Sequence, residues 1–232
     1  AACSAAEMIA RVRALDLDIA VDLQGFNQFN RMEVLAARVA PIQALYLGWP
    51  GTSGAGFYDY VIADPIVIPP QSLASFSESV AWLPGPYQCN DRKRSVAAEA
   101  PSRAACGLPE AGVVFSCFNN PFKILPEIFD VWMRILAAVP GSVLWLLSST
   151  PEAESNLRAE ATARGVAPER IVMAPFVANA EHLARHRHID LVLDTLPYNA
   201  HTTASDALWQ GIPVLTRTGT SFAGRVATSL LE

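Results

Sequence analysis

The run VVFSCFNNPFKILPEIFDVWMRILAAVPGSVLWLL, residues 113–147, decides how this chain folds. Val113–Phe118 is a continuous apolar run of strand length. Pro126 then opens a segment in which Ile128, Val131, Trp132, Ile135, Leu136 and Val139 recur at helical spacing and make one apolar face. Pro126 near its start and Pro140-Gly141 at its end are ordinary helix punctuation. Val143–Leu147 is a second uninterrupted apolar run. Strands that are apolar throughout are buried on both faces, and a strand–helix–strand unit joins parallel strands.

The same alternation continues toward the C-terminus. Glu152–Arg164 reads as a helix ended by Gly165, Ile171–Ala174 as a strand, Ala180–His186 as a helix and Leu191–Leu193 as a strand. Ala204–Gln210 is a helix ended by Gly211, Pro213–Thr216 a strand and Phe222–Leu231 a helix. This order predicts an α/β layer fold with a parallel sheet. Right-handed crossovers put every strand-to-helix loop on one sheet edge, where such folds bind ligands. Three loops therefore converge: Phe118–Lys123, Pro175–His182 and Leu196–Asp206.

Upstream, Ser4 and Glu7 fit a capping box that opens a helix. Asp18–Leu23, Gln43–Leu47, Tyr58–Ala63 and Val80–Leu83 read as strands, with a short helix over Arg31–Arg38. Gly48-Trp49-Pro50-Gly51-Thr52-Ser53-Gly54 follows a strand and is either a plain turn or a loop whose N–H groups approach a sugar or phosphate. From Cys89 to Arg103 there is no periodicity. The chain thus divides into an N-terminal α/β domain over residues 1–90, a linker over 91–105 and a second domain over 106–232. Arg92-Lys93-Arg94, inside the linker, reads as a solvated loop.

The 232 residues are 51% hydrophobic and 17% charged, with a formal net charge of −5. That is a globular composition with no basic footprint, so nucleic acid is not the expected partner. The 4 cysteines show no metal or disulfide spacing and read as reduced thiols, which predicts a cytoplasmic protein. No apolar run is long enough to span a membrane and no signal peptide is visible. The first residue is Ala and the last twelve, SFAGRVATSLLE, lack a helix stop, so a fragment of a longer protein is expected.

The converging loops suggest chemistry. Lys123 is either a surface lysine or a point charge for a phosphate. His201, Thr202 and Thr203 stand where a helix begins, so the hydroxyls are either N-caps or part of an anion site. Asp206, one turn inside, is a candidate acceptor for ribose hydroxyls. His182 and Arg185 share nearly one helix face and could flank a planar base. His182 and His186 have metal-compatible spacing, but no third ligand completes a site. A nucleoside diphosphate, or a nucleotide sugar that leaves one behind, fits this set. No glycine fingerprint supports a nicotinamide site or a P-loop.

Four runs carry a resemblance: APIQALYLGWPGTSGAGFYDYVIAD, GLPEAGVVFSCFNNPFKI, VPGSVLWLL and LDTLPYNAHTTASDALWQGIPVLT. They resemble the catalytic region of the O-GlcNAc transferase family, its bacterial members more than its animal ones. The resemblance implies a GT-B-type glycosyltransferase of two Rossmann-like domains with parallel sheets, the N-terminal one incomplete here. It implies transfer of GlcNAc from UDP-GlcNAc to Ser or Thr hydroxyls of proteins, with inversion. Lys123 matches a lysine on the donor diphosphate that assists the leaving group, and Asn120 a diphosphate-contacting amide. His201, Thr202 and Thr203 match a phosphate-binding helix start, and Asp206 a ribose-binding carboxylate. His182 matches a histidine against the uracil, Arg185 a base-contacting arginine, and the backbone of Val177 a base contact. Gly51, Thr52 and Ser53 match a loop facing donor and acceptor.

Ala200 and Ala204 stand where animal members have Gly, and Asn179 replaces a lysine. No metal or cofactor is implied, since the UDP-sugar is a substrate. The acceptor proteins would be presented by tetratricopeptide repeats outside this chain, and neither nucleic acid nor membrane is an expected partner. An N-terminal catalytic segment and closing C-terminal helices would also lie outside it. Two alternatives stand beside this reading: the same fold using GDP-fucose or UDP-glucose, or a nucleotide-binding fragment without turnover.

Overall fold

The computed structural model describes residues 3–232. They form two compact units, one of residues up to Cys89 together with Ser221–Arg225 and Glu232, the other of Asn90–Thr220 with Val226–Leu231. The second unit therefore begins at Asn90, the last residue expected in the N-terminal domain, and takes in the whole segment expected as a linker, while residues 221–225 group with the first unit rather than with the C-terminal domain.

In the first unit, α1 (Ala5–Arg13) starts at the Ser4–Glu7 capping box. It is followed by β1 (Ile19–Asp22), α2 (Met32–Ala36), β2 (Ile42–Tyr46), β3 (Tyr60–Ala63) and β4 (Ser79–Trp82). The four strands are parallel and lie in chain order, β1-β2-β3-β4. Gly48, just after β2, is required by a close approach. A Cβ there would lie 2.2 Å from the carbonyl oxygen of Leu23 and 2.9 Å from Gln24 Cα, both of them backbone.

The second unit contains β5 (Val114–Cys117), α3 (Pro126–Ala138), β6 (Val143–Leu147), α4 (Pro151–Ala163), β7 (Ile171–Ala174), α5 (Asn179–Arg185), β8 (Leu191–Leu193), α6 (Thr202–Trp209), β9 (Val214–Leu215) and α7 (Val226–Leu231). Its sheet is parallel in the order β7-β6-β5-β8-β9. The chain winds outward from β5 to β7, then returns to place β8 on the other side of β5. Between β5 and β8 the loops leave in opposite directions and open a crevice at the carboxyl ends of the strands.

Side chains alternate across this sheet. Val114, Val143, Trp145 and Val192 face one apolar cluster with Phe118, Ala204 and Ala207. Phe115, Cys117, Leu144, Leu146 and Ile171 face the other, against α3. The most buried stripe of α3 is Phe129, Trp132, Met133 and Leu136, rotated from the expected face but sharing Trp132 and Leu136 with it. Two helices start two or more residues from the expected position. α6 begins two residues earlier, at Thr202, and α7 begins only at Val226, after a turn over 221–225.

Gly48→Ala is expected to destabilise the protein by about 1–3 kcal/mol, because backbone on both sides must move. Thermal melting of the variant against the parent checks this.

Candidate functional site

Three loops meet at the crevice of the second unit. The first leaves β5. Phe118 and Asn119 are buried at its start, and Asn119 bridges the crevice. Its Nδ2 donates to Thr195 Oγ1 at 2.7 Å, and its Oδ1 accepts from Thr203 Oγ1 at 2.5 Å. The Thr203 hydroxyl is therefore tied across to the β5 loop and does not cap its own helix. The N-cap position of α6 is His201, whose side chain makes no capping hydrogen bond. The N-cap alternative for Thr202 and Thr203 is thus not what the structure adopts.

Asn120 is exposed and turned onto its own loop, where its Oδ1 accepts from Phe122 N at 3.3 Å. A tight turn over Pro121–Lys123 then sends Lys123 back toward the β8 loop. Its Nζ donates to the carbonyl of Asn199 at 3.0 Å and lies 4.0 Å from the centre of the Tyr198 ring. Burial lowers the Lys123 ammonium from its ordinary value, and the nearby Asp194 carboxylate opposes that shift. On the same loop His201 stacks on Tyr198, with ring centres 4.9 Å apart at 23°. One aromatic ring thus locates both the cation and the residue at the helix start.

The β8 loop contains a cis Leu196–Pro197 peptide bond and is organised by Asp194, at the end of the strand. Asp194 Oδ1 accepts from Thr195 N at 2.7 Å and from Ala200 N at 2.6 Å, while Oδ2 accepts from Thr216 Oγ1 at 2.6 Å. Burial raises this carboxyl to about 6, although those hydrogen bonds and Lys123 pull the other way. Ala200 and Ala204 are core residues here.

The third loop leaves β7. Phe176 is 78% exposed, and Val177 and Asn179 are also exposed. His182, on α5, packs against Phe118 with ring centres 5.1 Å apart and against His186 at 4.7 Å. Its Nδ1 accepts from an Arg185 guanidinium nitrogen at 2.7 Å. Burial first, then His186, Arg185 and Arg94, lower His182 to about 3. The neutral ring therefore carries its proton on Nε2, because an arginine can only donate to Nδ1. That Nε2 lies 3.9 Å from Asp206 Oδ2.

Arg185 is buried. It donates to the Pro175 carbonyl at 2.7 Å and to His182, and its guanidinium lies 4.8 Å from the Phe118 ring centre. It supports the histidine. A cavity of about 260 Å³ is lined by Phe118, Val177, Asn179, His182, Arg185 and Thr203. A larger one of about 410 Å³ lies behind Arg185, against Glu99, Cys106 and Trp145. The smaller is the better candidate because it touches both the histidine and the helix start.

Asp206 is buried, and Arg94 donates to its Oδ1. The expected solvated loop over residues 92–94 is therefore corrected at Arg94, whose partner lies 112 positions away in sequence. The sequence alone gave no role to Asp194 or Tyr198. Their only signal was position, at the ends of apolar strands. In the first unit, Gly51, Thr52 and Ser53 form a loop fastened to a buried carboxylate. Glu78 accepts from Thr52 Oγ1 at 2.7 Å, from Ser53 N at 2.6 Å and from the Ser53 hydroxyl. Burial alone would raise Glu78, but these donors hold it below its ordinary value. Among the described residues no cluster of three or more His, Cys, Asp or Glu could hold a metal ion. Nor is any helix long and apolar enough to cross a membrane.

The parallel α/β architecture is that of GT-B glycosyltransferases, as solved structures of the class show. Anabaena HepE, solved with UDP and glucose, shares the fold with a TM-score of 0.57 at 14% identity, over 97% of this chain and 70% of its own. The chain belongs to glycosyl transferase family 41, whose family model matches residues 2–99 and 96–232. An O-GlcNAc transferase mutant of Thermobaculum terrenum superposes with a TM-score of 0.87 at 35% identity, covering 99% of this chain and 43% of that one. Arabidopsis thaliana SEC, named a probable UDP-N-acetylglucosamine–peptide N-acetylglucosaminyltransferase, is 39% identical over 219 residues, 92% of this chain and 22% of SEC. Petunia hybrida SPINDLY, named likewise, is 32% identical over 226 residues, 95% of this chain and 24% of its own length. The chain thus spans about a quarter of the length of these two relatives.

The raised carboxyl of Asp194 gives a test of its burial. The folded protein keeps a proton there that the unfolded chain, near its ordinary 3.8, releases before the folded state does at about 6. Stability from this group is therefore present below pH 3.8 and lost as pH rises through 6. The loss amounts to about 2–3 kcal/mol at most. Asp194→Asn, which keeps an acceptor for Thr195 and Ala200, is expected to lack this component. Urea unfolding of both proteins from pH 4 to 7 measures the difference.

Proposed function

We propose that this chain is the nucleotide-sugar-binding core of an inverting glycosyltransferase that moves GlcNAc from UDP-GlcNAc to Ser or Thr hydroxyls of proteins. The observation that carries the reading is the meeting, at one switch point, of Lys123, the α6 start and the His182–Asp206 pair. Family membership and the activities for which the relatives are named support it.

In this reading the uracil lies against His182, between Val177 and Arg185, and the ribose hydroxyls donate to Asp206. The diphosphate lies at His201, Thr202 and Thr203, within reach of Lys123 and Asn120. The acceptor hydroxyl attacks the anomeric carbon from the face opposite the diphosphate and gives up its proton to solvent. The bond to the UDP oxygen breaks, and the charge that develops there is stabilised by the Lys123 ammonium and the helix start. Such fixed charges are effective because they need no reorganisation at the moment of reaction. Tyr198 supports this arrangement by holding Lys123 on one contact and His201 on another. In the first unit, the loop Gly51–Ser53, tied to Glu78, is the part assigned to donor and acceptor. Presentation of the acceptor by tetratricopeptide repeats, and a cytoplasmic location in keeping with four free cysteines, complete the proposal.

Lys123→Ala and Asp206→Ala are each expected to weaken UDP binding about tenfold or more, the worth of a charge-assisted hydrogen bond. Calorimetric titration tests this, and unchanged affinity in both variants removes the reading. A thermal-shift panel of UDP, UDP-GlcNAc, UDP-glucose and GDP-fucose identifies the donor, with strongest stabilisation expected from UDP-GlcNAc.

A further inference from the structure

The segment that opens the second unit is fastened to both helices of the donor site. Asn90 Oδ1 accepts from Ser205 Oγ on α6, and Ala97 N donates to the Ala180 carbonyl on α5 at 3.0 Å. Between these two anchors Arg94 reaches Asp206 and donates to Oδ1. The two side chains are only 15% and 12% exposed, so water screens the pair weakly. Asp206 Oδ2 is turned the other way, toward His182 Nε2.

This geometry has two consequences. The carboxylate is fixed by one oxygen while the other faces the base-binding histidine. Its negative charge is also matched. Asp206 is four residues into α6 from Thr202, so its Cα lies about 6 Å along the axis from the helix start. A bare carboxylate at that distance would repel a diphosphate placed there, whereas an arginine-paired one is close to neutral.

We propose that Arg94 is a positioning residue for the nucleotide: it presents Asp206 Oδ2 to the ribose and cancels the carboxylate's repulsion of the diphosphate. This rests on the donor-site reading above. It differs from that reading in predicting an effect on affinity from a residue that contacts no ligand.

The test is titration of the whole chain with UDP and with uridine, on the parent, Arg94→Ala, Arg94→Gln, Arg94→Lys, Asp206→Asn and the Arg94→Ala/Asp206→Asn double variant. Melting curves of each variant show that it is folded, and Arg94→Gln and Arg94→Lys stand in if the alanine variant is not. Arg94→Ala is expected to weaken UDP about tenfold and uridine by a smaller factor. Arg94→Gln, which keeps a donor but no charge, should hold uridine better than it holds UDP. Arg94→Lys should restore part of the UDP affinity. In the Asp206→Asn background, losing Arg94 should cost little further, since its effect passes through the carboxylate. A merely structural role for Arg94 would weaken both ligands equally and lower the melting temperature in step. The proposal is overturned if Arg94→Ala binds UDP as tightly as the parent or more tightly, the latter marking Arg94 as a plug on the ribose site. It is also overturned if the two substitutions add fully, because Arg94 would then contact the ligand itself. A parent protein that binds neither ligand would overturn the donor-site reading along with it.

Discussion

The buried carboxylate of Asp194 is the interaction on which the site depends. It ends β8, where the chain must leave the sheet and turn into α6. Two backbone N–H groups, from Thr195 and Ala200, converge on one of its oxygens and draw residues 195–200 into a closed turn. The other oxygen takes the Thr216 hydroxyl from the segment after β9, so the turn is fixed to the neighbouring strand as well. A carboxylate in such a place is costly to desolvate, which is why its acidity is suppressed to about 6. The groups on this side of the crevice are arranged by that turn. Tyr198 is presented to Lys123, the Asn199 carbonyl receives its ammonium, and His201 falls at the helix start.

The other side of the crevice is built on a different principle. There the groups are held by aromatic packing and by a short chain of polar contacts, Pro175 to Arg185 to His182 and on toward Asp206. Arg185 is sandwiched in the apolar cluster around Phe118 and Trp145 and fixes the tautomer of the histidine. Asn119 joins the two sides through Thr195 and Thr203. The crevice walls are thus coupled before any ligand arrives, and preorganisation of this kind lessens the ordering that binding must otherwise impose.

Much of the fold was legible. The apolar runs at 113–118, 143–147, 171–174 and 191–193 are strands because a central parallel strand has no solvent face and needs no polar alternation. The positions of Lys123, His182, His201 and Asp206 at strand ends or in the helices that follow were legible for the same reason. Local signals were less reliable where a side chain had a distant competitor. The Thr203 hydroxyl had a local use as a helix cap, yet Asn119, 84 residues away in sequence, takes it. Arg94 sat in a charged run that locally resembles solvated loop, and Arg185 in an Arg- and His-rich helix that resembles a solvated face. Both are drawn inward by partners that no local pattern names.

By itself, then, the sequence determined the α/β class, the parallel sheets, the order of elements and the edge on which ligand groups gather. Hydrophobic periodicity and turn residues encode these over windows of ten to twenty positions. Only the tertiary structure decided which partners those groups take: Arg94 with Asp206, Asp194 with the turn over 195–200, Tyr198 with Lys123, Glu78 with the Gly51–Ser53 loop. The reason is that a buried polar group must be satisfied by whatever donor or acceptor the fold brings within about 3 Å. That choice is made by three-dimensional proximity and not by spacing along the chain.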